Sequence, residues 1–164
     1  MFSVFRNINR FVGKSKLLDG GAIFFARILP YIMVVFLFFY SLYIGNIYLF
    51  ISPMLSGIFA RVIFKEGIHF FFKVQRPSGM EGTKVLIPVP KSYSFPSGHA
   101  TFFFGISFFL FFYSIQLAII FMIASCLIGT ARVFCGVHWF RDIVAGAVVG
   151  GVSAIVIHQL IKYI

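Results

Sequence analysis

Acidic residues are scarce in this chain. Only four of its 164 residues are Asp or Glu, against 14 Lys or Arg, and the formal charge is +10. The four acids (Asp19, Glu66, Glu81 and Asp142) are scattered along the sequence. No carboxylate cluster is available to hold a metal ion, and neither a metal nor a cofactor is expected. Cysteine is equally rare, with residues 126 and 135 alone. If the segment between them is helical they stand about 13 Å apart by the helical rise, too far to bond. Both are read as free thiols, Cys126 in a packed helix. Charged residues of either sign make up only 11% of the chain, and this argues against a soluble domain.

Apolar residues are plentiful. They form 60% of the sequence, with 25 Phe, and the mean hydropathy is +1.01. Soluble domains lie near about 45–50% apolar, so the solvent implied here is a lipid bilayer. The length suits one domain spanning residues 1–164. The basic residues flank apolar runs, so anionic lipid headgroups, and not nucleic acid, are the expected partners.

The first twenty residues contain neither an apolar signal-peptide core nor a small-residue cleavage site. Phe2, Val4, Phe5, Ile8 and Phe11 or Val12 recur at helical spacing opposite Arg6, Arg10 and Lys14. This pattern predicts an amphipathic helix over residues 3–14, lying in the membrane interface with its bases towards headgroups. Hydropathy then predicts five membrane spans, near 21–44, 47–72, 97–113, 117–134 and 143–161. Pro30 is expected to kink the first span, and Arg61, Lys65 and Glu66 interrupt the second. Residues 78–95, rich in Gly, Pro, Ser and charge, read as a surface loop. The last span is rich in Gly, Ala and Ser, which permits close helix packing. The predicted fold is therefore an all-α polytopic membrane bundle with an interfacial N-terminal helix. Five spans put the 74–97 loop, the 132–142 connection and the N-terminus on one membrane face.

That face collects the unusual residues. Arg76-Pro77 closes the second span, and the proline fixes where the guanidinium sits. Pro96-Ser97-Gly98-His99 opens the third. A helix start presents free N–H groups and the positive end of the helix dipole to an anion. Gly98 lets an oxyanion approach the backbone, Ser97 adds a hydroxyl, and His99 follows immediately. Arg132, His138 and Asp142 complete the set. His138 and Asp142 are four apart, hence neighbours on a helical face. A carboxylate there can take the proton of one imidazole nitrogen and leave the other free to attack. Two arginines, two histidines and an aspartate are what a metal-free phosphate-transfer site requires.

The series R-P, P-S-G-H and R-x5-H-x3-D, in this order and placed so against the spans, resembles the type-2 phosphatidic acid phosphatase family. The resemblance covers about residues 65–150, with the three motifs inside 65–142. It implies a helical bundle that hydrolyses lipid phosphates without metal, through a phosphohistidine. On that basis Arg76, Ser97, Gly98 and Arg132 are expected to bind phosphate. His138, oriented by Asp142, is expected to attack phosphorus, and His99 to protonate the leaving oxygen. The family's first motif is K-x6-R-P, and here His69 stands at the lysine position. Lys65, His69 and Lys73 would lie within about 60° of Arg76 on one helix face. Lys73, a turn from Arg76, is the expected auxiliary cation, with His69 as the alternative; Lys65 is expected only to snorkel. The third motif begins Ala131-Arg132 where the family has Ser-Arg.

The expected substrate is a membrane phospholipid or polyprenyl phosphate. The small size, the N-terminal helix followed by Leu17-Leu18-Asp19 and the A-R-x-L-P run at 26–30 resemble the small bacterial undecaprenyl-diphosphatases. Lipid A 1-phosphatase and phosphatidylglycerophosphate phosphatase are the alternatives. A catalytically inactive multi-span protein is the alternative of another class. The bases on the site face would direct it to the cytoplasm by the positive-inside rule, but many of them are required by the site itself. The family resemblance implies the bacterial cytoplasmic membrane with the site on its outer, periplasmic face.

Overall fold

The computed structural model describes residues 2–163; the side chains of residues 2–4 and of His69 lie outside the description. Among the described residues the regular structure is entirely helical. Helix α1 is Phe2–Asn9. It stops at Asn9, short of the expected 3–14, and the chain continues in turns; Phe5 and Val12 are buried while Arg6 and Arg10 are exposed, as the amphipathic pattern requires. Helix α2, Lys16–Tyr43, starts earlier than the hydropathy suggested because Ser15 caps it by accepting from the Leu18 N–H. It passes through a π-turn, Phe24–Ile28, just before Pro30. Helix α3 starts as Tyr48–Phe59, continues through a second π-turn, Ala60–Phe64, and ends as Lys65–Phe71. Helix α4 is Gly98–Leu110, α5 Ile115–Phe134 and α6 Phe140–Lys162.

Four of these, in α2, α3, α5 and α6, are long and apolar enough to cross a bilayer. The fifth expected span, α4, has only 13 residues, about 20 Å of helix against a hydrocarbon core of about 30 Å. Its burial accounts for the difference. Phe103, Phe104, Ile106, Phe109 and Leu110 of α4 are all buried by neighbouring helices. A helix sheltered by protein need not match the lipid thickness. Outward faces of the surrounding helices are apolar instead: Phe39, Ile123, Val148 and Ile155 are all exposed. That inverts the arrangement of a soluble protein and suits a lipid surround.

Close backbone approach makes the centre possible. A Cβ on Gly105 of α4 would lie 3.1 Å from the Gly57 Cα of α3, and one on Gly150 of α6 would lie 2.6 Å from the Gly105 nitrogen. A third, on Gly146, would lie 2.6 Å from the Ala100 Cβ. Helices α3 and α6 thus sandwich α4 through small residues, with van der Waals contact replacing the missing hydrophobic drive. Buried hydroxyls add links at the same level: Ser56 donates to the Gly105 carbonyl at 3.0 Å, and Ser107 and Ser125 pair at 2.9 Å.

Cys135 is buried, whereas Cys126 is exposed on α5 and not packed as expected. The 78–95 segment also differs from a plain surface loop. Ile87 and Ser94 are buried within it, and Leu86 donates its N–H to the Cys135 carbonyl at 3.3 Å. Asn9 ties α1 to this segment, donating to the Lys84 carbonyl at 2.8 Å and accepting the Lys84 N–H at 2.9 Å.

Replacing Gly150 by Ala should cost about 1–3 kcal/mol, as overpacking against backbone does. The readout is the melting temperature of purified protein in detergent. A melting temperature equal to that of the parent would mean that α4 and α6 can part without penalty.

Candidate active site

All three motif segments meet at one end of the bundle. Arg76 follows a short extended stretch after α3 and is buried. Its guanidinium has five N–H donors, and every one has a protein acceptor. Nε donates to the Ser92 carbonyl at 2.8 Å, and Nη2 to Ser92 Oγ at 3.2 Å and the Tyr93 carbonyl at 3.0 Å. Nη1 donates to the Val137 carbonyl at 2.9 Å and meets His138 Nε2 at 3.1 Å. The expected phosphate ligand is therefore also the clamp that fixes the loop and the His138 ring.

The last contact settles the histidine tautomer on chemical grounds. An arginine can only donate, so His138 Nε2 must present its lone pair. The proton then sits on Nδ1, which faces Asp142 Oδ2 at 3.3 Å. That carboxylate oxygen also accepts from the Trp139 N–H at 2.9 Å and, in a short hydrogen bond, from Ser94 Oγ. Trp139 is the N-cap of α6, so one aspartate closes the helix end and orients the ring. The Trp139 indole N–H donates to the Gln75 carbonyl at 2.9 Å and fastens this helix start to the segment before Arg76. Gly136 makes the approach to His138 possible. Its φ is +78°, and a Cβ there would come within 2.5 Å of the Lys84 carbonyl.

Burial pushes the His138 pKa down to about 4; the Asp142 hydrogen bond works against this, and the Arg76 and Arg132 charges add to it. A ring so placed stays neutral at physiological pH and keeps its nucleophilic lone pair.

The start of α4 provides the other half. Ser97 is its N-cap, with its N–H given to the Asp142 carbonyl at 3.1 Å. The Ser97 hydroxyl is fully buried and without a hydrogen-bond partner, and so is Arg132 Nε. Two buried donors left open beside a helix N-terminus suit an anion. Arg132 Nη1 donates to the Ala26 carbonyl at 3.2 Å, in the π-turn of α2. His99 opens into a pocket of about 260 Å³ that it shares with Arg132, Arg27, Tyr31, Pro88 and Pro90. Among the described residues, no three of His, Cys, Asp and Glu gather as metal ligands.

The structure brings together Arg76, Ser97, Gly98, His99, Arg132, His138 and Asp142, but not Lys73. Helix α3 ends at Phe71, so helical offsets lose their meaning beyond it, and Lys73 is exposed on the extended stretch. The side chain of His69 lies outside the described residues. Lys65, expected only to snorkel, instead packs its hydrocarbon stem beside Gly98. A Cβ on that glycine would lie 3.1 Å from Lys65 Cε and 3.9 Å from the guanidinium carbon of Arg61. The Lys65 ammonium pairs with Glu66. Ser94 and Arg61 are site residues that the motifs did not single out, and Arg27 stood out only as part of the A-R-x-L-P run. Only the π-turns and the fold of the loop bring them in, although Arg61 stood out as a charge inside an apolar run.

Nitrogen-15 NMR of histidine-labelled protein should show His138 neutral at pH 5.5 and carrying its proton on Nδ1. A ring titrating near 6.5, the ordinary histidine value, would refute this account of its surroundings.

Comparison with known proteins identifies the family and the fold. The family model described as PAP2 superfamily matches residues 46–164, more than half of the chain. The crystal structure of Aquifex aeolicus LpxE superposes with a TM-score of 0.72 at 25% identity, covering 96% of this chain and 94% of that one. A PAP2-type phosphatidylglycerolphosphate phosphatase from Bacillus subtilis superposes at 0.63 and 20% identity, covering 99% and 86%, and shares the fold. The bacitracin transport permease protein BcrC of Bacillus licheniformis is 36% identical over 62 residues, 38% of this chain. The matched stretch spans 30% of that relative's length. With its motifs gathered at one bundle end, in the fold those membrane proteins share, the chain belongs to the PAP2 superfamily.

Proposed function

We propose that the protein is a metal-independent lipid phosphatase acting through a phosphohistidine, with undecaprenyl diphosphate as its substrate. The observation that carries the reading is the His138 ring, neutral and held between Asp142 and Arg76, with Nε2 unprotonated and its lone pair facing Arg76 Nη1. In the first half-reaction Nε2 bonds to phosphorus as the bond to the leaving oxygen breaks. His99 gives that oxygen its proton. Arg132, Ser97 Oγ and the Gly98 N–H hold the phosphoryl oxygens. Arg76 Nη1 releases Nε2 as the N–P bond forms and is then free to donate to a phosphoryl oxygen. In the second half-reaction His99 takes a proton from water, which attacks the phosphohistidine and frees both phosphate and His138. Asp142 stabilises the positive charge on the phosphorylated ring. Ser94 acts through Asp142 and is a positioning residue.

The substrate assignment draws on the A-R-x-L-P run. Ala26 accepts the Arg132 hydrogen bond, and Arg27 and Tyr31 line the pocket beside His99, so this segment reaches the site. Lipid A 1-phosphatase and phosphatidylglycerophosphate phosphatase remain the alternative reactions, since the residues around His138 read the phosphate and not the lipid. The protein lies in the bacterial cytoplasmic membrane with the site on its outer face. Reporter fusions at both termini test that sidedness.

His138→Ala should abolish phosphate release from undecaprenyl diphosphate in detergent. Acid-quenched parent protein given labelled substrate should carry an acid-labile, base-stable phosphoryl group. Turnover that persists in the variant removes the nucleophile assignment. Excess EDTA should leave the rate unchanged, and a rate restored only by added magnesium would contradict the metal-free mechanism. Lys73→Ala should change kcat/KM less than about twofold, well under the tenfold that about 1.4 kcal/mol represents. A tenfold loss would return Lys73 to the site.

A further inference from the structure

The two π-turns carry the same dipeptide. Ala26-Arg27 lies in Phe24–Ile28 of α2, and Ala60-Arg61 in Ala60–Phe64 of α3. Both alanines are fully buried, and both arginines are exposed. π-Turns inside helices are rare and concentrate at functional sites. Each arginine sits within an apolar membrane span, where a charge is costly unless it is used. Neither has a hydrogen bond or carboxylate partner among the described residues, whereas Lys65 is paired with Glu66.

Both guanidinium groups lie on the His99 side of the site. Arg27 lines the pocket that His99 and Arg132 share, and that pocket includes neither His138 nor Asp142. Arg61 stands over Gly98, the residue before His99, with its guanidinium carbon 3.9 Å from where a Cβ on that glycine would lie. In-line displacement places the leaving group opposite the nucleophile, which here means away from His138 and past His99. Transfer of a single phosphoryl group already has Arg132, Arg76, the Ser97 hydroxyl and the α4 N-terminus. Two further cations on the leaving side match a leaving group that is itself an anion.

We infer that Arg27 and Arg61 form a subsite for the second phosphate of a lipid diphosphate, the one that departs attached to the lipid. The inference rests on the phosphohistidine reading above and extends it to substrate selection. His138 Nε2 bonds to the terminal phosphorus as its bond to the bridging oxygen breaks. That oxygen keeps the electron pair and takes the His99 proton, and Arg27 and Arg61 hold the non-bridging oxygens of the lipid monophosphate that leaves. A phosphomonoester of the same lipid has no group to fill this subsite.

Farnesyl diphosphate and farnesyl monophosphate differ only in that second phosphate and are the probes. Their kcat/KM ratio is measured in detergent for the parent protein, Arg27→Gln, Arg61→Gln, the double variant and Arg61→Lys. Each Gln variant should lower the diphosphate-to-monophosphate ratio at least tenfold, the double variant further, and Arg61→Lys by less than Arg61→Gln. Parallel loss on both substrates, or no loss on either, overturns the subsite. On His138→Ala protein, inorganic diphosphate should bind at least tenfold tighter than inorganic phosphate, and Arg61→Gln added to that background should remove the difference. Equal binding of the two anions also overturns it. A parent protein that hydrolyses neither farnesyl ester nor undecaprenyl diphosphate fails the phosphatase reading itself, and the subsite falls with it. An active parent with an unaltered ratio in the variants refutes the subsite alone.

Discussion

Five hydrogen bonds from one buried guanidinium hold this site together. Arg76 joins the end of the 77–94 loop, through Ser92 and Tyr93, to the α5–α6 connection, through Val137 and His138. An arginine can do this because its donors are planar and fixed in direction, and because it cannot turn into an acceptor. That restriction dictates the His138 tautomer and hence which nitrogen carries the lone pair. Loss of the guanidinium would leave the carbonyls of Ser92, Tyr93 and Val137 without this donor, and Val137 is buried. Assembly of the site therefore rests on one residue, the same one proposed to bind phosphate.

Asp142 has a comparable double role. Its Oδ2 caps α6 through the Trp139 N–H, receives the Ser94 hydroxyl and faces His138 Nδ1. Its backbone carbonyl takes the Ser97 N–H at the start of α4. The same residue thus sets the height of two helix starts, one preceded by His138 and the other bearing Ser97, Gly98 and His99. Position is preserved below this level by the glycine contacts of α3, α4 and α6, where a single added carbon would collide with backbone. The short α4 places its N-terminus within the protein, and the loop residues Pro88 and Pro90 stand beside it.

Much of this was legible from periodicity and composition. The membrane spans follow from apolar length, and α1 follows from the alternation of Phe5, Ile8 and Val12 with Arg6 and Arg10. His138 and Asp142 at a spacing of four, and Ser97-Gly98-His99 at a helix start, announce their contacts because both are local. Lys73 was misplaced for a physical reason. Its expected face assumed a helix continuing to Arg76, but the helix stops at Phe71 and the chain runs extended into the arginine clamp. Cys126 was misjudged because α5 is apolar on both its lipid-facing and its protein-facing sides, so hydropathy cannot separate the two.

The sequence by itself determined the solvent, the helices, the order of the motifs and the face on which they gather. These depend on apolar length and on spacings of a few residues, which the chain carries locally. Only the tertiary structure decided which donors are engaged and which are open: Arg76 saturated, Arg132 Nε and Ser97 Oγ unpartnered. It also decided that Arg27 lines the pocket of His99 and that Arg61 stands over Gly98. A π-turn is a change of register within a continuous helix, set by packing against neighbours and not by any residue pattern. It rotates a side chain from one face to the next, and no helical periodicity read along the chain can report that rotation.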